Sequence, residues 1–330
     1  MNNQKIIKTN PEFGVELALT VPYTYWLHLQ GELKTVITSK GMKPFYYFCE
    51  DVREEFDFRT IDNVAAGLNS LPNQWTHHNA LAVTGKDYSE LNKEEQANVN
   101  GVLDYSKWVC PSYAEYYKNT EFIFDKETVF ITNKFNIEHG HKPYGYFDIE
   151  CLYEMFNYLT SKNYTVIYKR VTNQEPEFAI DQNEANSIHQ GYHNIKANVE
   201  GVGEITDREL VSYYEDVYLL DDIIKDSKYS YNETQLKLMA NCSKFISVCG
   251  GNTILSSMFG GTVITYVHTG KELRPNYFSK DGYFRKLTNA NFIPIFDVIG
   301  EINQKTYNHK VNNTGKNDYK ELLETIKSTF

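Results

Sequence analysis

The sequence predicts an α/β protein with parallel strands divided between two domains, and three observations carry that expectation. The first is the stretch from Lys244 to Val267. Residues 245–249 are a short apolar run rich in β-formers and bounded by a glycine pair, which reads as a buried strand. Gly250 and Gly251 let the backbone turn tightly, and Asn252 or Thr253 is a good N-cap for a helix that ends at Gly260-Gly261. Residues 262–267 form a second apolar run. Strand, turn, helix and strand make one βαβ unit, and its crossover implies parallel strands. The second observation is the alternation of strand-like and helix-like segments from residue 128 onward. The third is length: 330 residues suffice for two domains of ordinary size.

Composition narrows the class. With 41% hydrophobic and 23% charged residues the chain has the balance of a globular protein in water. No run approaches the ~18–20 apolar residues of a membrane span, and the first eight residues have too little apolar length for a signal peptide. Cys49, Cys110, Cys151, Cys242 and Cys249 are scattered, with no Cys-x-x-Cys pair. They suggest buried thiols in a reducing compartment and no structural zinc, so a cytoplasmic location is expected. A net charge of −10 argues against general nucleic-acid binding but leaves room for a small anion in a local basic pocket. The 26 tyrosines supply flat faces with polar rims, which suit a saccharide or a nucleobase.

Along the chain, Ile6-Ile7 begins a strand and residues 10–14 read as a loop. Residues 15–30 have helical apolar spacing that Pro22 breaks. Residues 33–38 and 45–49 look like short strands, whereas 51–67 mix charge and apolar character without a period. Residues 80–83 look like a strand, and 89–99 are a polar helix or loop. Residues 129–132 form a strand running into a polar loop, 133–143. Residues 147–159 are an amphipathic helix with Asp148 near its start. The next strand, 164–168, ends at Lys169-Arg170. Residues 172–209 are polar and form a long loop or lid with room for one short helix. A strand at 216–220, a helix at 232–240 and the central βαβ unit follow. Residues 292–296 are the last strand, which Pro294 consigns to a sheet edge, and 319–326 are a closing helix.

In an open parallel sheet, ligands sit at the carboxyl ends of the strands. Three such ends carry suitable groups: the loop with Asn133, Lys134, Asn136 and Glu138; the pair Lys169-Arg170; and Gly250-Gly251-Asn252-Thr253 at a helix start. Cations, amides and a helix N-terminus together suit a nucleotide diphosphate. Each feature taken singly also suits a plain tight turn or a solvated strand end.

Four segments in order, Val129-Phe-Ile-Thr-Asn-Lys, residues 152–168, residues 232–243 and Phe245-Ile-Ser-Val-Cys-Gly-Gly-Asn-Thr, resemble the C-terminal domain of GT-B glycosyltransferases. The resemblance spans about residues 127–270 and is nearest to the heptosyltransferase-like branch and to related fucosyl- and rhamnosyltransferases. It implies a GT-B-like fold, two Rossmann-like α/β/α domains facing a central cleft. Residues 1–126 would bind the acceptor and 127–330 the nucleotide sugar, with the final helix available to pack back on the N-terminal domain. The chain has Gly-Gly-Asn-Thr where the heptosyltransferases have Asp-Ser/Thr-Gly followed by His, so the resemblance does not imply a heptose donor.

The activity implied is transfer of a hexosyl or pentosyl group from a UDP- or GDP-linked sugar to a saccharide acceptor, inverting and without a metal. Heptosyltransferase-like enzymes carry a catalytic carboxylate just after a glycine in the first loop. Glu16, offset by one residue after Gly14, is the corresponding candidate base. A first-turn helix carboxylate favoured by the dipole is the plainer reading. His77 and His78 are the alternative bases, beside Trp75, where a structural role is the commoner one. Two histidines at 139 and 141 with no third ligand nearby are poor evidence for a metal. A nucleotide-sugar epimerase of the same fold and a non-catalytic sugar- or nucleotide-binding protein remain open.

Overall fold

The computed structural model describes residues 4–59, 86, 90–95, 107–135, 143, 145–170, 195–200, 203–268, 287–303, 308–311 and 317–330. Its N-terminal part is a parallel sheet in the order β1 (Lys5–Lys8), β2 (Leu33–Ser39), β3 (Asp51–Phe56). The crossover between β1 and β2 is a continuous helical run: α1 (Phe13–Val15), a π segment (Glu16–Thr20) and α2 (Val21–Leu29).

Pro22 does not break this run. A proline in an α-helix loses its own N–H and collides with the carbonyl four residues back. Here the turn widens instead, with the Val21 N–H reaching the Glu16 carbonyl, and Pro22 falls in the first turn of α2, where it is tolerated. The expected strand at 45–49 is also absent. Lys43–Tyr46 is a 3₁₀ turn that buries Phe45 and Tyr46 completely. The third strand is the charged segment 51–56, where no period is visible. Among the described residues it is the outer strand of its sheet, with half-buried and exposed residues only, so no fully buried face imposes one.

After a short helix, α3 (Tyr113–Tyr116), comes the larger sheet. Its elements are β4 (Thr128–Asn133), α4 (Ile149–Ser161), β5 (Thr165–Arg170), the antiparallel hairpin β6 (Lys196–Val199) and β7 (Gly203–Thr206), and α5 (Asp207–Val211). Then follow β8 (Val217–Leu219), α6 (Leu220–Lys225), α7 (Tyr231–Ala240), β9 (Lys244–Val248), α8 (Gly251–Ser257), β10 (Thr262–Val267) and β11 (Asn291–Phe296). Asp148 caps α4, its Oδ1 accepting the Cys151 N–H at 2.9 Å.

The six strands lie in the order β11-β10-β9-β4-β5-β8, and every pairing is parallel. Numbered from β4 as the first strand, that order is 3-2-1-4-5-6 read from β8, the doubly wound arrangement of Rossmann-type sheets. The direction of winding reverses between β4 and β9, so the carboxyl ends of those two strands flank the switch point.

Each face of this sheet is buried in its own core. Phe130, Ile167, Phe245 and Val263 pack toward α7, α8 and the N-terminal residues Leu17, Leu27, Val36 and Phe45. Val129, Ile131, Tyr168 and Ile246 pack toward α4 and α5. Strand alternation makes the split, since successive side chains point to opposite faces.

Several sequence expectations are corrected at the edges. The stretch 172–209, expected as a loop with one short helix, ends in such a helix, α5, but also carries the β6–β7 hairpin in its described part; Thr206 and Glu209 form a capping box. Residues 291–296 do form an edge strand, but a second hairpin follows, β12 (Val298–Asn303) with β13 (Asn308–Val311). The closing helix α9 (Lys320–Thr329) lies against α4 and β10. Leu322 and Ile326, one helical turn apart, form its buried stripe and fit the second core. The expected strand at 80–83 lies outside the described residues.

Candidate functional site

The carboxyl edge of the six-stranded sheet is built from a register row. Lys169 of β5 lies opposite Thr132 of β4, Thr132 opposite Ser247 of β9, and Ser247 opposite Thr265 of β10. All four side chains fall on the face that packs toward the N-terminal part. Lys169, with only 5% of its surface exposed, donates from Nζ to Asn252 Oδ1 at 2.7 Å and lies 5.9 Å from the Tyr231 ring centroid. One lysine thus ties the end of β5 to the turn after β9.

In that turn Gly250 has φ +146°, a conformation L side chains rarely adopt, and Lys134 Nζ lies 4.0 Å from where its Cβ would stand. Gly250, not Asn252 or Thr253, is the N-cap of α8. Thr253 is fully buried instead. Its hydroxyl donates to the Val248 carbonyl at 2.9 Å and lies 2.7 Å from Ser247 Oγ, so it fastens α8 to β9.

Gly251 has a different cause from the one the sequence suggests. A Cβ there would stand 3.1 Å from Gly14 Cα and 3.1 Å from Phe13 Cδ1, while a Cβ on Gly14 would stand 3.1 Å from Gly251 Cα. The two glycines let the first helical run of the chain press directly on α8. Gly251→Val should therefore separate these elements and lower stability by about 1–3 kcal/mol, with Gly251→Ala costing less. Denaturant unfolding measures this, and a valine variant of parental stability would contradict the packing account.

Arg170 and Asn133 point the other way. They lie opposite each other in register, on the face toward α4 and α5. Arg170 is fully buried, pairs with Asp207 at 2.9 Å and sits 5.7 Å from the Phe135 ring centroid. Asp207 also accepts from the Tyr168 hydroxyl at 2.7 Å. Burial, and then the Asp207 charge, push the Tyr168 phenol well above its ordinary pKa. Asn133 uses its whole amide: Nδ2 donates to the Phe147 carbonyl and the Tyr168 hydroxyl, and Oδ1 accepts the Lys134 and Phe147 N–H groups. Both residues organise the strand ends. Alternation along β5 separates Lys169 from Arg170, although the sequence presents them as one basic pair.

Glu16 lies in the π segment, fully buried. Its Oε1 accepts from the hydroxyls of Thr38 and Tyr46, the latter at 2.8 Å, and its Oε2 from Arg59 Nη1 at 2.7 Å. Arg59 Nη1 also donates to the Pro11 carbonyl at 2.9 Å. Burial and the neighbouring carboxylate hold the Tyr46 phenol protonated, well above its ordinary pKa. A carboxylate with both oxygens engaged by donors from β2, the 3₁₀ turn and Arg59 braces those segments against the π segment. His77, His78, Asn136 and Glu138 lie outside the described residues.

Sequence reasoning missed a second cluster at this edge. His268 follows β10 directly, and Asp297 follows β11 directly. His268 Nδ1 lies 3.0 Å from Asp297 Oδ2, and the Tyr266 hydroxyl donates to the same oxygen at 2.7 Å. The available signal was position: a histidine and an aspartate, each the first residue after a parallel strand. Elsewhere, a cavity of about 670 Å³ between α4, the β6–β7 hairpin, α5 and α9 is lined by Tyr153, Tyr213 and Tyr214 among others. It contains none of the expected donor residues. Among the described residues, no three His, Cys, Asp or Glu side chains group as metal ligands, and no helix is long and apolar enough to cross a membrane.

No protein-family model matches the sequence, and comparison with curated proteins finds no match. Solved structures do align along most of the chain. The Escherichia coli ADP-heptose LPS heptosyltransferase II aligns over 98% of both chains at 11% identity, with a TM-score of 0.48. The glycosyl transferase family 9 protein of Veillonella parvula DSM 2008 covers 90% of this chain and 87% of its own at 10% identity, TM-score 0.41. TibC from enterotoxigenic E. coli H10407, described as an iron-containing dodecameric glycosyltransferase, covers 98% of this chain and 74% of its own at 11% identity, TM-score 0.43. The fold is α/β with two parallel sheets on the strength of its own strand order.

Proposed function

We propose that the chain is a GT-B-type glycosyltransferase that binds a nucleotide-activated sugar at the carboxyl edge of the six-stranded sheet. The observation that supports it most is the switch point between β4 and β9, flanked by Lys134 on one side and Gly250 on the other. Open sheets of this order take nucleotides in that crevice. Lys169 and Asn252 extend the edge toward β5 and bring a cation and an amide to it. A diphosphate needs such a cation, a close backbone approach and hydrogen-bond donors, all of which this edge supplies.

In this reading residues 127–330 hold the donor. The N-terminal residues pressed against α8 through Gly14 present the acceptor, a saccharide, and the transfer inverts the anomeric centre. Glu16 is a brace of the acceptor side rather than its base. The nucleotide is best identified by thermal shift with ADP-, UDP- and GDP-linked sugars. A donor at ~100 times its Kd adds ~2.7 kcal/mol of stability, so one of them should raise the Tm clearly. If no nucleotide sugar at millimolar concentration moves the Tm, the proposal is wrong.

A further inference from the structure

We propose that the cavity between α4, the β6–β7 hairpin, α5 and α9 is a second binding site, for a small organic cation with an apolar body. It goes beyond the function proposed above and does not depend on it, since none of its described lining residues belongs to the donor edge.

The cavity follows from the patterning of α4. Leu152, Met155, Phe156 and Leu159 turn into the core. Ile149, Glu150, Tyr153 and Glu154, at positions i, i+1, i+4 and i+5, form a neighbouring stripe that lines the cavity. Ile205 of β7, Leu210 of α5 and Leu323 of α9 complete an apolar floor. At about 670 Å³ the cavity is in the size range that small ligands fill. One wall is fixed in place. The Tyr319 hydroxyl donates to the Tyr146 carbonyl at 2.6 Å, and accepts from Asn317 Nδ2 at 2.7 Å and from the Asp148 N–H at 3.2 Å.

Charge sets the ligand class. The described lining residues include two carboxylates and no Lys, Arg or His. Glu150 is exposed and has no ion pair among the described residues. Glu154 meets Lys327 at 3.8 Å with both side chains about half exposed, too loose a pair to neutralise it. Glu150, in the first turn of α4, is favoured by the helix dipole whatever it faces. Glu154 lies beyond that turn, and like charges four residues apart on a helix repel. Helix stability alone does not account for the pair; a cation in the cavity does.

The tyrosines supply the rest. Tyr153 and Tyr213 are 51% and 61% exposed, large aromatic surfaces left to solvent where they line the cavity. Tyr214 is held, its hydroxyl donating to Asn157 Oδ1 at 3.0 Å and its ring edge-on to Phe156 with centroids 5.6 Å apart. Burial first, then Tyr153 and Glu154, push the Tyr214 phenol up to about 12, the direction that neighbouring negative charge gives. The face of a tyrosine ring attracts an ammonium group, most strongly where water is excluded. An anion would meet two carboxylates here, and a neutral polyol would meet a floor with few partners for its hydroxyls. An amine on an aromatic or aliphatic body suits both parts: the body covers the floor, and the ammonium lies among carboxylates and rings.

The test titrates the full chain calorimetrically with tryptamine, tryptophol and indoleacetate, which carry a cation, no charge and an anion on one indole body, and with methyl glucoside. We expect tryptamine to bind saturably and about tenfold or more tighter than tryptophol, with indoleacetate the weakest of the three. Glu150→Gln/Glu154→Gln should abolish that preference. Glu55→Gln/Glu115→Gln, at two exposed positions of the N-terminal part, makes the same change in net charge and should leave the preference intact. Tyr213→Ala should weaken tryptamine by about threefold or more with the Tm kept. Tryptophol or methyl glucoside binding as tightly as tryptamine would overturn the proposal in favour of a neutral occupant. Equal losses in the two double variants would reduce the effect to the overall charge of the molecule, and a parent that tryptamine does not saturate at millimolar concentration has no such site. None of these outcomes touches the assignment of the donor edge.

Discussion

Glu16→Gln is expected to lower the stability of the chain by about 3–5 kcal/mol, the usual cost of removing one partner from a buried ion pair. The pair is Glu16 with Arg59, their side chains 0% and 3% exposed and 2.7 Å apart. Glutamine keeps the shape and still accepts from Thr38 or Tyr46, but it leaves the guanidinium of Arg59 without a counter-charge in a place water does not reach. The Pro11 carbonyl, which also accepts from Arg59, carries no charge to replace it. The effect should propagate to the π segment, because Glu16 joins that segment to β2 through Thr38 and to the 3₁₀ turn through Tyr46. A carboxylate acting only as a base would give the opposite pattern, large loss of turnover with stability intact. Denaturant unfolding of Glu16→Gln decides between them, and a variant with parental unfolding free energy would show that Glu16 does not brace the fold.

Asp207→Ala should cost a similar ~3–5 kcal/mol, for a related reason on the other face of the sheet. Arg170 and Asp207 are both fully buried, and Asp207 also takes the Tyr168 hydroxyl, so alanine strands one charge and one hydroxyl. Arg170→Met should be comparably harmful, because it leaves the carboxylate alone. The double variant Arg170→Met/Asp207→Leu removes both charges and should recover much of the loss. Two single losses that simply add in the double variant would contradict the pairing. The result also bears on function: if Arg170 is the strut described here, its replacement should affect nucleotide affinity only as far as it affects folding.

Much of the larger sheet is legible in the sequence, because a strand buried on both faces is a short apolar run and its helices are amphipathic. Residues 129–132, 244–248 and 262–267 announce themselves this way, and Asp148 announces the start of α4. The charged strand β3 does not, since its residues are half-buried or exposed and no fully buried face imposes a period. The π segment is hidden because a proline in a helical pattern reads as a stop. The site is legible only in part. Strand ends can be located from periodicity, which brings Lys134, Lys169 and the Gly250 turn to one edge. Which face a terminal side chain takes depends on register, and so Lys169 and Arg170, adjacent in sequence, part company. The close packing of Gly251 on Gly14 is hidden in the sequence, because the two glycines are more than two hundred residues apart in the chain. The His268–Asp297 contact joins the ends of two strands, and no local pattern encodes it.

The most direct test of the account is calorimetric titration of the nucleotide sugar that raises the Tm, into the parent and into Lys169→Met. Lys169 holds Asn252 across the edge where the diphosphate is placed, and a charge-assisted hydrogen bond is worth ~1.5–3 kcal/mol. The account predicts saturable binding to the parent and an affinity at least about tenfold weaker in Lys169→Met, with the variant folded. Equal affinity in the two proteins would place the donor elsewhere and contradict the assignment of this edge.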